Sequence, residues 1–270
     1  MAKPEAQSGL TLIGGGRMGS ALAGGWIKSG YSGPISIHDP NPSDLLKTWE
    51  SDGRIALNPP SAPADILIVA VKPQVFPTIL DSIKAHVGPD TLILSIMAGI
   101  TLAGLSAKLG SPRVARAMPN TPGLVGKGMT LLCMPQGASQ DDAEDLQALL
   151  TPLGDVEGPI PEDQLSAATA ISGCGPAYAF LLAEVMAAAG KAYGLDEALA
   201  LRLAKKTVEG AGALMMDANE PPSRLRENVT SPGGVTKAAL DVLMRADGMP
   251  SLMEDAVGAA IKRDRELSGE

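Results

Sequence analysis

The chain has 270 residues, 45% of them hydrophobic and 19% charged, with a net charge of −8. That length allows two domains and a sizeable core. The acidic balance and an aromatic content of only 3% exclude the clustered cations and stacking platforms of a nucleic-acid binder.

In chain order, the opening MAKPEAQSGLTLIGGG lacks the long apolar stretch and cleavage pattern of a signal peptide. GLTLIGG reads as a strand, residues 18–29 as a helix, PISIHD as a second strand and residues 43–51 as a second helix. ADILIVAV is a continuous apolar run, the pattern of a strand buried on both faces. TLILSIMAG, RVARAMP and GMTLLCMP continue the series. Strands separated by helix-length segments imply βαβ units, so residues 1–160 are expected to form an α/β Rossmann-type domain, doubly wound around a mostly parallel sheet.

From residue 161 to 270 the sequence turns Ala- and Leu-rich and helical throughout. Pro176 suits the first turn of a helix and Gly194 its end. The segment between them, PAYAFLLAEVMAAAG, is apolar on nearly every side, which marks it for burial in a bundle or between subunits. Interrupted by Glu184, it reads as too short to span a bilayer. An all-α dimerisation domain is therefore expected, with no membrane partner. Cys133 and Cys174 make neither a disulfide framework nor a metal spacing, so the reading is a reduced, cytoplasmic protein without a metal site.

Gly14-x-Gly16-x-x-Gly19 follows the first strand and opens the first helix, enclosing Arg17 and Met18. Glycines at this spacing allow a tight turn, close backbone approach to a pyrophosphate and close helix–strand packing, and the helix N-terminus attracts the anion. Asp39 closes the second strand, where a carboxylate accepts hydrogen bonds from an adenosine ribose and repels a 2′-phosphate, which favours NAD. It also starts an Asx- and Pro-rich turn, HDPNPSD, and both roles stand. Val71, Lys72 and Pro73 lie at the carboxyl end of a buried strand, where ligands of open α/β sheets bind.

The layout resembles the hydroxyacid dehydrogenases related to 6-phosphogluconate dehydrogenase, whose interdomain Gly-x-Gly-x-x-Lys motif supplies an acid/base. Here SGCGPAY aligns Gly173 and Gly175 with those glycines, but Tyr178 stands at the lysine and Leu182 at a following asparagine. His38 and His86 read as surface or capping residues rather than proton donors. An imine removes the need for a donor, because its nitrogen arrives protonated and only hydride must be delivered. A site of hydroxyls and backbone N–H groups then suffices, and NVTSPGGVTKAAL offers those.

GGGRMGSA, VAVKPQ, RAMPNTP, SGCGPAY and NVTSPGGVTKAAL occur in the order seen in pyrroline-5-carboxylate reductases, which the chain resembles from residue 14 to 240. The resemblance implies NADPH- or NADH-dependent reduction of 1-pyrroline-5-carboxylate to L-proline. It implies a substrate site at Ser231, Gly233, Gly234, Val235 and Thr236, the Val235–Thr236 backbone holding the carboxylate and the Thr236 hydroxyl meeting the ring nitrogen. Cofactor contacts are implied for Gly14, Gly16, Arg17, Met18, Gly19, Asn58, Ala70, Val71, Lys72, Pro73, Ile96, Met97, Ala98 and Asn228, with Asp39 beside them. It further implies homodimers with interlocked helical domains, often assembled into rings of five dimers, the site lying between a Rossmann domain and helices of a partner chain.

Three departures accompany the resemblance. Cys174 replaces a serine of the motif, Val235 a Thr or Ala, and Asp39 a Ser, Asn or Arg, so the family's usual NADPH preference is in question. Two other functions stay open at this level: reduction of the six-membered cyclic imine, and a non-catalytic dinucleotide sensor. SPGG also suits a plain turn, and Thr236 a plain helix cap.

Overall fold

The computed structural model describes residues 8–268. The chain forms two compact units, one running to Gly173 and taking in the chain again from Ile261, the other Cys174–Ala260. The sequence expectation set the change at residue 160, where the strand-forming sequence ends.

The first unit carries β1 (Leu10–Ile13), α1 (Arg17–Ser29), β2 (Ile35–His38), α2 (Asp44–Ser51), β3 (Ala56–Leu57), β4 (Ile66–Val69), α3 (Leu80–Lys84), β5 (Leu92–Ser95), α4 (Leu102–Leu109), β6 (Val114–Met118), β7 (Gly128–Cys133), α5 (Gln140–Leu150), β8 (Gly154–Glu157) and α6 (Leu165–Ser172). The sheet order is β3-β2-β1-β4-β5-β6-β7-β8. β7 runs antiparallel to β6, β8 runs parallel to β7, and every other pair is parallel.

Alternation along the strands sorts the core onto two faces. Leu10, Leu12, Ile66, Ile68, Leu92 and Leu94 pack with α1, α2 and α5. Ile13, Leu67, Val69 and Ile93 point the other way, to α3, α4 and α6. Helices thus cover both faces, which is why these strands read as unbroken apolar runs. The sequence reading missed β3 and β8. β3 has two residues, too few for a period, and β8 is the polar GDVE; both are edges, where short or polar strands are tolerated.

One of the two histidines departs from the expectation of a surface or capping residue. His86 is buried, with Nδ1 3.1 Å from the Ala62 carbonyl oxygen, and its ring centroid lies 4.4 Å from that of His38. Burial, and then the neighbouring His86, lower the pKa of His38. The unfolded chain therefore binds more protons than the folded one as pH falls below about 6.5, and stability present above that pH is lost on acidification. Melting temperature measured from pH 7.5 to 5.0 is expected to fall more steeply for the parent chain than for His38→Gln; parallel curves would contradict this.

The second unit contains α7 (Gly175–Ala192), α8 (Glu197–Asp217), α9 (Pro222–Asn228), α10 (Val235–Leu243) and α11 (Met249–Ser268), whose end from Ile261 belongs to the first unit. α7 and α8 approach closely at Gly190, where a Cβ would stand 3.3 Å from that of Ala200. Ala200 and Ala204 are buried, while Phe180, Leu181, Leu203, Val242 and Leu252 are exposed. Helices that bury so little of their apolar surface within the chain draw their stability from something laid against them. Counted from Glu162 to Ala192 the helical run has 31 residues, long and apolar enough to cross a membrane, with 6% of its most apolar window buried. The expectation that this segment is too short considered α7 without the helical residues that precede it.

Candidate active site

β2, β1, β4 and β5 are adjacent and end in register, His38 beside Ile13, Ile13 beside Val69, and Val69 beside Ser95. Asp39, Gly14, Ala70 and Ile96, which follow those ends, therefore form one row at the carboxyl edge of the sheet. Backbone bonds continue the row: Gly14 N donates to His38 O (2.9 Å), Ala70 N to Ile13 O (2.8 Å) and Ile96 N to Val69 O (3.0 Å).

Each glycine of the loop has its own reason. Gly14 has φ +102°, and a Cβ there would stand 2.6 Å from the Ala70 carbonyl oxygen; a Cβ on Gly19 would stand 2.1 Å from that of Gly14. The first opens the turn and the third lets α1 lie against it. Gly16 would meet nothing within 4 Å. It is the N-cap of α1 with no side-chain cap, so its surface is open to a ligand. This is the shape a dinucleotide pyrophosphate fits, with Arg17 exposed and Met18 half-buried at the same helix start.

Asp39 is tied into this loop. Its Oδ2 accepts from Gly15 N at 2.7 Å and its Oδ1 from Asn41 N at 2.8 Å. Asn58 turns its side-chain amide to the Asp39 backbone, Oδ1 accepting from Asp39 N and Nδ2 donating to Asp39 O, both at 3.0 Å. Of the other expected cofactor residues, Lys72 is exposed and opens a turn closed by Val75 N on Lys72 O (2.9 Å). Val71, Pro73 and Ala98 are half-buried. Met97 is buried in the core, its N–H donating to the Ser95 hydroxyl. Asn120, in the RAMPNTP motif, spends its amide on Met129 N and Ser172 O, at 3.0 and 2.9 Å.

In the second unit, Gly234 N donates to Ser231 O at 3.0 Å, closing a turn through Gly233 at φ +68°. Gly234 is the N-cap of α10 and offers no side-chain cap. Among the described residues, the N–H groups of Val235, Thr236 and Lys237 and the Thr236 hydroxyl have no acceptor or partner. Thr236, Val235 and Ser231 are exposed. The amide of Asn228 donates to Glu220 Oε2 at 2.9 Å. The Lys237 N–H escaped the sequence reading, although the unpaired first amides of any helix signal it.

Tyr178 is hydrogen-bonded with Cys174. Burial, and then that thiol, hold its pKa above the ordinary phenol value, so it stays neutral at physiological pH. Neither Cys133 nor Cys174 is in a disulfide. No group of three or more His, Cys, Asp or Glu among the described residues could hold a metal.

Residues 162–267 match the family model for pyrroline-5-carboxylate reductase dimerisation, and residues 9–99 that for NADP oxidoreductase, coenzyme F420-dependent. The pyrroline-5-carboxylate reductase of Pseudomonas aeruginosa is 36% identical over 267 residues, 96% of each chain. The chain belongs to the pyrroline-5-carboxylate reductase family. The Arabidopsis thaliana pyrroline-5-carboxylate reductase is also 36% identical, over 95% of this chain and 94% of its own. The solved pyrroline-5-carboxylate reductase of Coxiella burnetii superposes with a TM-score of 0.88 at 31% identity, covering 97% of this chain and 98% of that one. That of Plasmodium falciparum, solved with NADP bound, gives 0.82 at 28% identity over 97% and 98%. The dimerisation match covers α6 to α10 and most of α11, the helices that carry Phe180, Leu181, Leu203, Val242 and Leu252 on exposed positions, and supports homo-oligomerisation.

Proposed function

We propose that this protein reduces 1-pyrroline-5-carboxylate to L-proline with a reduced nicotinamide dinucleotide. The start of α10 carries the reading, because its unpaired N–H groups and the free Thr236 hydroxyl are what a cyclic imino acid needs. The substrate carboxylate takes the N–H groups of Val235, Thr236 and Lys237, favoured by the positive end of the helix dipole. Gly233 and Gly234 shape the turn that leaves them open, and Ser231 stands at its start. The Thr236 hydroxyl holds the ring nitrogen, which enters protonated.

The bound cofactor supplies hydride. A C–H bond forms at the iminium carbon, the C=N π pair moves to nitrogen, and the product is a secondary amine that needs no further proton. No general acid is called for, which accounts for the neutral Tyr178 in place of a lysine. Gly14, Gly16, Arg17, Met18, Gly19 and the edge residues Ala70–Pro73 and Ile96–Ala98 are the residues that would hold the dinucleotide.

We read the cofactor as NADH. Asp39 places a carboxylate beside the loop, and it would repel a 2′-phosphate. The Plasmodium relative's NADP and the family model's name point the other way, so rates with NADH and NADPH in parallel decide. We further read the particle as a homodimer, open to assembly into a ring of five dimers, with a second copy rather than lipid covering the helices. Light scattering without detergent should give at least twice the chain mass. The free thiols suit a reducing, cytoplasmic setting; burial, and then Glu162, push that of Cys133 up to about 11.

Thr236→Ala tests the assignment. Losing a hydrogen bond to a charged group, about 1.5–3 kcal/mol, should lower kcat/KM for pyrroline-5-carboxylate by roughly 10- to 100-fold. Dissociation constants for NADH and NADPH should stay put. A collapse of dinucleotide affinity instead would remove Thr236 from the substrate site.

A further inference from the structure

Asn58 carries the one positive φ among the described non-glycine residues, +46°. Asparagine tolerates that region better than other side chains, yet such a residue persists where its surroundings hold it. Its backbone N–H donates to Ile37 O at 2.9 Å. Its side-chain amide faces Asp39 as a neighbouring peptide would, taking Asp39 N and giving to Asp39 O. The pairing of β2 with β3 ends at Ile37 and Leu57, so the amide adds a further rung, made by a side chain, that clamps Asp39.

Asp39 is consequently held by four hydrogen bonds: its N–H donates to Asn58 Oδ1, its carbonyl oxygen accepts from Asn58 Nδ2, its Oδ2 accepts from Gly15 N and its Oδ1 from Asn41 N. An ionised carboxylate has about four acceptor positions. The two left over are the number that the vicinal hydroxyls of a ribose require. Asn58 fixes the backbone from which the carboxylate projects, and the Gly15 and Asn41 N–H groups hold its two oxygens, so a swing aside to admit a 2′-phosphate costs these bonds.

We infer that Asn58 is a positioning residue for dinucleotide selection, and that it discriminates between NADH and NADPH by locking Asp39 rather than by its amide contacting the cofactor. The inference rests on reading the glycine loop as a dinucleotide cradle. It adds that a carboxylate at position 39 is insufficient for selectivity, and that a residue 19 positions away sets its strength.

The test is a double-mutant cycle on the full-length protein, read as dissociation constants for NADH and NADPH by nicotinamide fluorescence, with melting temperature alongside. Asn58→Gly keeps the positive φ and removes the amide. Asp39→Asn keeps the backbone clamp and removes the charge. The parent chain should bind NADH more tightly than NADPH. Asn58→Gly should cut that ratio by about tenfold, the effect of one or two hydrogen bonds, chiefly by admitting NADPH, and still melt cooperatively. In the Asp39→Asn background, Asn58→Gly should leave the ratio unchanged, because the residue it acts through is gone.

Three results would overturn the inference: a parent chain that does not favour NADH, a ratio untouched by Asn58→Gly, or an Asn58→Gly effect that persists unchanged beside Asp39→Asn. A folded parent chain that binds neither dinucleotide would instead defeat the cradle reading itself. Turnover with pyrroline-5-carboxylate is not the readout, so failure of the substrate assignment would be seen separately.

Discussion

Gly16→Ala is expected to melt where the parent chain melts and to lose dinucleotide affinity, whereas Gly19→Ala is expected to lose both. An alanine methyl at Gly16 meets no atom of the chain within 4 Å, so the fold has no reason to register it. It would occupy the surface over which a pyrophosphate must approach the backbone, and about a hundredfold loss in NADH affinity, or ~2.7 kcal/mol, is expected. At Gly19 the methyl would sit 2.1 Å from the Gly14 carbonyl oxygen, and α1 must move away from the loop. Overpacking of this kind removes about 1–3 kcal/mol of stability and displaces the helix start that attracts the anion. Thermal melts and NADH fluorescence titrations on both variants check this; equal melting losses would mean that Gly16 is a packing glycine like its neighbour.

Trp26→Ala should have the largest effect on stability. Trp26 is 1% exposed on α1, and its indole N–H donates to the Leu149 carbonyl oxygen at 2.7 Å, joining α1 to α5 across 123 positions of sequence. Removing a buried aromatic of this size is worth about 3–5 kcal/mol. Trp26→Phe keeps most of the packing and leaves that carbonyl unpaired in the core, with a loss of about 1–3 kcal/mol. Urea midpoints at unchanged slope would measure both. A Trp26→Phe midpoint equal to that of the parent would show that the hydrogen bond adds nothing to the packing.

The two cases differ in how far the sequence alone could anticipate them. The strand–loop–helix setting of Gly14-x-Gly16-x-x-Gly19 announces a dinucleotide loop, but it does not say which glycine packs and which stays open. The partner of Trp26 has no local signature. Asp39 shows the same limit: its place at a strand end is legible, and its bonds to Gly15 and Asn41 are both present, so the ribose and turn readings need not exclude each other. The engagement of Asn58 with Asp39 depends on β3, a two-residue strand without periodicity.

By itself, the sequence determined the parallel core strands, the glycine loop, the helical second half and the motif order that names the family. These lie in short windows, where apolar period, glycine and proline spacing and helix-start chemistry act on neighbouring residues. Only the tertiary structure decided the reversed β7 and β8, the two-residue edge strand β3, the His38–His86 contact and the clamp on Asp39. Each depends on segments distant in sequence meeting in space, and that meeting is set by the packing of helices on both faces of the sheet.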